Sequence, residues 1–203
     1  MSAQIALPLA WPVDPGEDEF LLTPSNAEAA ALLERWETWP VRTALLVGPP
    51  RSGRSLLARI FAARSGGAII DGAESRPEAE LFHAWNRAQA TASPLLLVAD
   101  AAPPAWAVSL ADLRSRLAAS PVATIGPPDD PLMRALLERL FLRRGLDARE
   151  ELVDWLLGRV ERSHFAVTRV VQALEAAALS TQRRLSIPFA RAVLAEARLI
   201  EEE

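Results

Sequence analysis

Eight consecutive residues carry the clearest chemistry in this chain: Gly48-Pro49-Pro50-Arg51-Ser52-Gly53-Arg54-Ser55, with Leu56 behind them. Two glycines at that spacing let the backbone curl until its N–H groups converge on phosphate oxygens, at the positive end of the helix that follows. The long cation of Arg54 reaches toward the outer phosphates, and the Ser55 hydroxyl can ligate Mg²⁺. Lys is the usual residue at position 54. Arg keeps the charge but replaces a compact ammonium by a planar fork. Nucleotide binding is therefore expected to survive the exchange, while efficient hydrolysis is not. The plainer reading is a Gly/Pro turn, but the apolar run before the loop and the helical pattern after it are the context a phosphate cradle demands.

Two acids stand where such a loop would use them. Asp71 closes a short apolar run and could hold the magnesium through a water, or simply cap a turn. Gly72 follows it, so the acid that usually orients an attacking water is missing there, and Glu74 comes two residues later. Asp100 closes another apolar run, where a polar sensor of the γ-phosphate would sit; sensor and turn residue both remain open.

The elements that must position these residues can be read from periodicity. Residues 43–47, 68–70, 94–99 and 122–125 are short apolar runs that suit buried strands. Residues 27–36, 55–63, 77–90 and 110–118 read as helices, the first with Ser25 or Asn26 as N-cap. Strands alternating with helices predict an α/β domain with a parallel sheet. Beyond Asp129 the pattern changes to amphipathic helices over 131–143, 149–162, 165–184 and 188–200. The expected division is a tail over 1–19, an α/β nucleotide-binding domain over 20–128, and a small all-α lid over 129–203. The tail is rich in Pro, with Gly16 and a cluster of acids near its end.

Bulk properties narrow the classes. The 203 residues are 50% hydrophobic, enough for one generous core or a core with a lid. No apolar run is long enough to span a membrane, and the first residues lack the pattern of a signal peptide. With no cysteine and only His83 and His164, neither a disulfide framework nor a dedicated zinc site is expected. The net charge of −4 argues against a protein built mainly to grip phosphate backbones. A cytoplasmic protein is expected.

With the loop placed, the remaining segments resemble the DnaA/Hda family of AAA+ proteins nearly end to end. The resemblance rests on Gln4-Ile5-Ala6-Leu7-Pro8-Leu9, Pro24-Ser25-Asn26 and Leu81-Phe82-His83-Ala84-Trp85-Asn86. It continues through Asp112-Leu113-Arg114-Ser115-Arg116-Leu117, Pro127-Pro128-Asp129-Asp130, Glu161-Arg162-Ser163 and Arg184-Leu185-Ser186-Ile187-Pro188. It implies a three-layer α/β/α AAA+ domain followed by the helical lid. Gln4, Ile5, Leu7, Pro8 and Leu9 look like a peptide for the DNA sliding clamp, leucines filling an apolar pocket and Gln4 contacting its edge. Arg116 occupies the arginine-finger position, where a cation delivered in trans stabilises charge on a transferred phosphoryl group. Arg169 resembles the sensor-2 arginine that touches nucleotide from the lid.

What the resemblance implies is a negative regulator of replication initiation, bound to the clamp beta subunit near the nucleoid and acting on DnaA. It would hold ADP in preference to ATP, with Mg²⁺ on Ser55 and Asp71, and turn over little nucleotide itself. A homodimer stays open, as do an ATPase loader of clamp or helicase and a nucleotide-inert clamp adaptor. Besides the missing acid at Gly72, the chain departs from the pattern in two places. The stretch between the loop and Asp71 is short, so a strand or helix is expected to be missing. No helix-turn-helix domain follows the lid, so sequence-specific DNA binding is not expected.

Overall fold

The computed structural model describes residues 20–200. Four parallel strands form one sheet: β1 (Thr43–Val47), β2 (Ala68–Asp71), β3 (Leu95–Ala99) and β4 (Val122–Thr124), in the order β2-β3-β1-β4. Every residue of β1 and β3 is buried, which is why both read as unbroken apolar runs: helices cover each face of a parallel sheet. Alternate side chains split between the faces. Ala44, Leu46, Leu96 and Val98 pack with α1 (Pro24–Glu34) and α2 (Arg54–Ser65). Leu45, Val47, Leu95 and Leu97 pack with α3 (Glu78–Thr91) and α4 (Ala111–Ala119). The domain has the three α/β/α layers expected of it.

Register places the functional ends together. Val47 pairs with Ala99, and Asp71 pairs with Val98, so the loop after β1 and the ends of β2 and β3 share the carboxyl edge of the sheet. The short stretch after the loop has a physical counterpart. Only Gly66 and Gly67 separate α2 from β2, and a Cβ on Gly67 would lie 2.6 Å from the Pro94 carbonyl oxygen. The chain passes straight from α2 into β2, leaving β2 at the sheet edge among the described residues.

A separate apolar cluster holds the lid, whose helices are α5 (Asp130–Arg143), α6 (Glu150–Leu157), α7 (His164–Thr181) and α8 (Ile187–Glu196). Leu137, Phe141, Leu156, Val170, Val171 and Leu174 lie at its centre. Asp129 caps α5 by accepting from the Leu132 N–H at 3.0 Å, and its second oxygen accepts from the Ser25 N–H at 3.1 Å. One carboxylate thus ties the lid to the start of α1.

Helix ends differ from the periodic pattern. The N-cap of α1 is Thr23, not Ser25 or Asn26, because Pro24 takes the first helical position, where its missing N–H is not needed. Asn26 turns back instead, accepting from the Thr23 N–H at 2.9 Å and donating to the Leu21 carbonyl at 2.8 Å. Helix α6 stops at Leu157 rather than running to 162, with Gly158 as its C-cap. Helix α7 ends at Thr181, where Gln182 adopts a left-handed φ of 54°, and α8 ends at Glu196.

Candidate functional site

The loop between β1 and α2 has the backbone of an anion cradle. Arg51 and Gly53 are both left-handed, with φ of 62° and 91°, so successive N–H groups turn inward. Gly48 has no room for a side chain: a Cβ would lie 2.7 Å from the Ile125 carbonyl oxygen and 3.2 Å from Ser52 Oγ. No side chain caps α2 among the described residues, and the first N–H groups of a helix are those that a phosphate can take. Ser52 is 4% exposed, and its buried hydroxyl has no hydrogen-bond partner among the described residues. A buried hydroxyl without a partner inside such a loop fits a ligand rich in oxygen.

The acids close around it. Ser55 Oγ donates to Asp71 Oδ2 at 2.7 Å, bringing together the two residues expected to hold magnesium. Arg54 reaches across to β3: one guanidinium nitrogen donates to the Ala99 carbonyl, the other to Asp100 Oδ1 at 2.5 Å. Glu74, which periodicity left outside the site, is brought back into it. Gly72 turns left-handed at φ 66°, the 3₁₀ turn Ala73–Ser75 follows, and Glu74 Oε1 accepts from the Asp100 N–H at 2.9 Å. Its other oxygen is buried without a partner among the described residues.

Between this edge and the lid lies a cleft. Phe20, Leu21, Leu132, Leu136 and Leu140 line it with apolar surface, Arg51, Ser52, Gly53 and Leu56 with the loop, and His164, Val167 and Thr168 with one face of α7. Apolar walls beside an anion cradle suit a base and ribose next to their phosphates. Phe20 and Leu21 were not foreseen, since nothing in their local sequence marks them as cleft residues.

Burial pushes the His164 imidazole below its usual range. A folded pKa below the unfolded one adds stability that is complete above the ordinary value near 6.5 and is lost as pH falls below it. Thermal melting should therefore show a destabilisation below about pH 6.5 that His164→Asn removes; an unchanged slope in the variant would refute this assignment.

Of the residues expected to hold nucleotide, Arg51, Ser52, Gly53 and Leu56 line this cleft, whereas Gly48, Pro49, Pro50, Arg54, Ser55, Asp71, Asp100 and Arg169 do not. Arg169 does not line the cleft: its guanidinium lies 5.6 Å from the Phe165 ring centroid, and Arg51 lies 4.4 Å from the same ring. Arg116, on α4, does not line it either. Its guanidinium sits 4.2 Å from the centroid of Phe82 and 5.0 Å from that of Trp85, and Nη1 has no hydrogen-bond partner among the described residues. The clamp-type residues Gln4, Ile5, Leu7, Pro8 and Leu9 lie outside the described residues.

Comparison with known proteins agrees with this geometry. Residues 129–194 match the family described as Hda, lid domain. An uncharacterized protein of Haemophilus influenzae is 31% identical over 118 residues, which cover 58% of this chain and 51% of that protein. The match thus spans about half the length of that relative. Domain III of the Thermotoga maritima replication initiation protein DnaA superposes with a TM-score of 0.74 at 14% identity, over 90% of this chain and 95% of that one. AMPPCP-bound DnaA from Aquifex aeolicus gives 0.63 at 13% identity, over 88% and 68% of the two chains.

Proposed function

We propose that this chain, whose residues 129–194 match the Hda lid family and whose fold is similar to that of DnaA domain III, is a negative regulator of replication initiation that binds the sliding clamp and activates hydrolysis of DnaA-bound ATP. The observation that carries this reading is the pairing of a loop with the backbone of a phosphate cradle, facing the lid across a cleft, with an arginine held away from that cleft. Arg116 lies against Phe82 and Trp85 and outside the chain's own cleft, as befits a cation meant for another protein's nucleotide.

In this reading the cleft holds a nucleotide to fix loop and lid, with ADP preferred and Mg²⁺ on Ser55 and Asp71. The chain's own turnover is weak. Gly72 stands where an acid would orient water, and Glu74 already spends one oxygen on the Asp100 N–H. A cytoplasmic location follows from the role, and no described helix is long and apolar enough to cross a membrane.

The test is phosphate release from ATP-bound DnaA with DNA-loaded clamp present. Added protein should accelerate it, and no acceleration would remove the reading. Clamp attachment has its own measurement. Replacing Gln4, Leu7 and Leu9 together by Ala should abolish capture by the clamp, since each leucine contributes about 1.5–3 kcal/mol on burial in an apolar pocket. Circular dichroism should show the fold intact; normal capture of the triple variant would mean the tail is not the attachment point.

A further inference from the structure

We propose that the open edge of β2 is a self-association surface, through which two copies of this chain join their sheets across a two-fold axis. The inference is independent of what the cleft binds.

Only two glycines lead from α2 into β2, and no described strand lies beyond β2 in the sheet. The direction of its hydrogen bonds follows from one contact. The Ala68 N–H donates to the Pro94 carbonyl at 2.9 Å, and successive residues of a strand turn their polar groups to opposite sides. Ala68 and Ile70 therefore serve β3, while Ile69 and Asp71 turn their N–H and C=O groups outward. A strand edge is commonly guarded by Lys, Pro or a bulge. Ala68-Ile69-Ile70-Asp71 has none of these, and the Asp71 carboxylate is turned to Ser55 Oγ at 2.7 Å.

A groove runs beside this edge. Helix α3 packs on β1 and β3, leaving Ala68 exposed and Ile70 half-buried beside Glu80, Ala84 and Arg87. The charge pattern of the groove suits a second copy. Gln89 Nε2 reaches Thr43 Oγ1 at 3.4 Å, and Thr43 and Ala68 both pair with Leu95, so Gln89 and Ala68 stand at one level. Ala84 lies about 7.5 Å back along the helix from there, and Ile70 about 6.6 Å along the strand in the same direction. Ala84 and Ile70 are therefore level, with the exposed Glu80 on one side of them and the exposed Arg87 on the other.

Antiparallel pairing of Ile69 with Asp71 of a second copy puts the axis at Ile70. The same axis brings Glu80 of each copy opposite Arg87 of the other, with the small Ala84 between them. A patch with an acid at one end and a base at the other complements itself under a two-fold. Phe82 and Trp85, which hold Arg116, do not line this groove and take no part.

Sedimentation equilibrium of the full chain should show a dimer with a micromolar dissociation constant, as suits a small and partly polar interface. Glu80→Arg and Arg87→Glu each set like charges opposite one another twice and should weaken association about tenfold or more. The double exchange restores both pairs and should recover it, with melting temperatures unchanged throughout because both positions are exposed. Hydrogen exchange read amide by amide locates the surface. At rising concentration the Ile69 and Asp71 amides should slow, whereas those of Ala68 and Ile70, already bonded to β3, should not change. A chain that stays monomeric at millimolar concentration would overturn the proposal. So would a dimer indifferent to either single exchange, a double exchange that fails to recover it, or Ile69 and Asp71 amides that keep their rates as a dimer forms.

Discussion

Arg116→Ala should reduce the stimulation of DnaA-bound ATP hydrolysis by roughly 10³-fold or more, the range over which a finger supplied in trans acts. The transition state gathers negative charge on the γ-phosphoryl oxygens, and a fixed guanidinium stabilises it more than the ground state. In the free chain this guanidinium is held by two ring faces of α3 and not by carboxylates. Presenting Nη1 to a partner's phosphate therefore breaks no protein hydrogen bond among the described residues. Arg116 Nη1 is buried against two rings, so loss of these contacts should lower stability by about 1–2 kcal/mol, and folding and clamp capture should persist. Arg116→Lys should rescue poorly, because an ammonium on a flexible stem cannot reproduce the planar fork. Arg114→Ala is the control: Arg114 donates to the Val108 carbonyl of its own chain at 3.2 Å and has no comparable role. Phosphate release at the wild-type rate in Arg116→Ala would show that the finger is misassigned.

What could be read ahead of the structure follows from how local each signal is. The strands β1 and β3 are apolar throughout because both of their faces are covered, and that pattern is visible in five letters. The loop was legible because its chemistry demands glycine at fixed spacing, and Gly48 and Gly53 stand where contact and backbone angle require them. The short run to Asp71 pointed to a lost element, and α2 does pass into β2 through two glycines. Non-local facts were hidden. The engagement of Arg54 by Asp100 spans 46 residues, and Glu74 enters the site only through a left-handed Gly72 and one 3₁₀ turn. The cap of α1 was misplaced because Pro24 decides it, and the side chains of Ser25 and Asn26, both good caps by type, pair with the Thr23 hydroxyl and the Thr23 N–H. Arg169 was placed by resemblance to a lid arginine, yet the cleft-facing positions of α7 are His164, Val167 and Thr168.

Gly53→Val should abolish nucleotide binding, weakening it on the order of a hundredfold or more, since ordinary residues in the left-handed region carry about 1–3 kcal/mol of strain. Gly53 has φ 91°, where a β-branched residue is least tolerated, and its Cβ would lie 3.2 Å from the Phe20 ring that lines the cleft. The loop can relieve the strain only by rotating N–H groups away from the phosphates. Gly66 separates this effect from general destabilisation. It closes the other end of the same helix with φ 67°, and a Cβ there would meet nothing within 4 Å. Gly66→Val therefore carries a similar backbone strain with no route to the cradle. Melting temperatures of the two variants should fall together, while calorimetry with ADP should show binding lost only in Gly53→Val. Retained ADP binding in Gly53→Val, or equal loss in both variants, would mean that the loop is a structural turn and not a phosphate cradle.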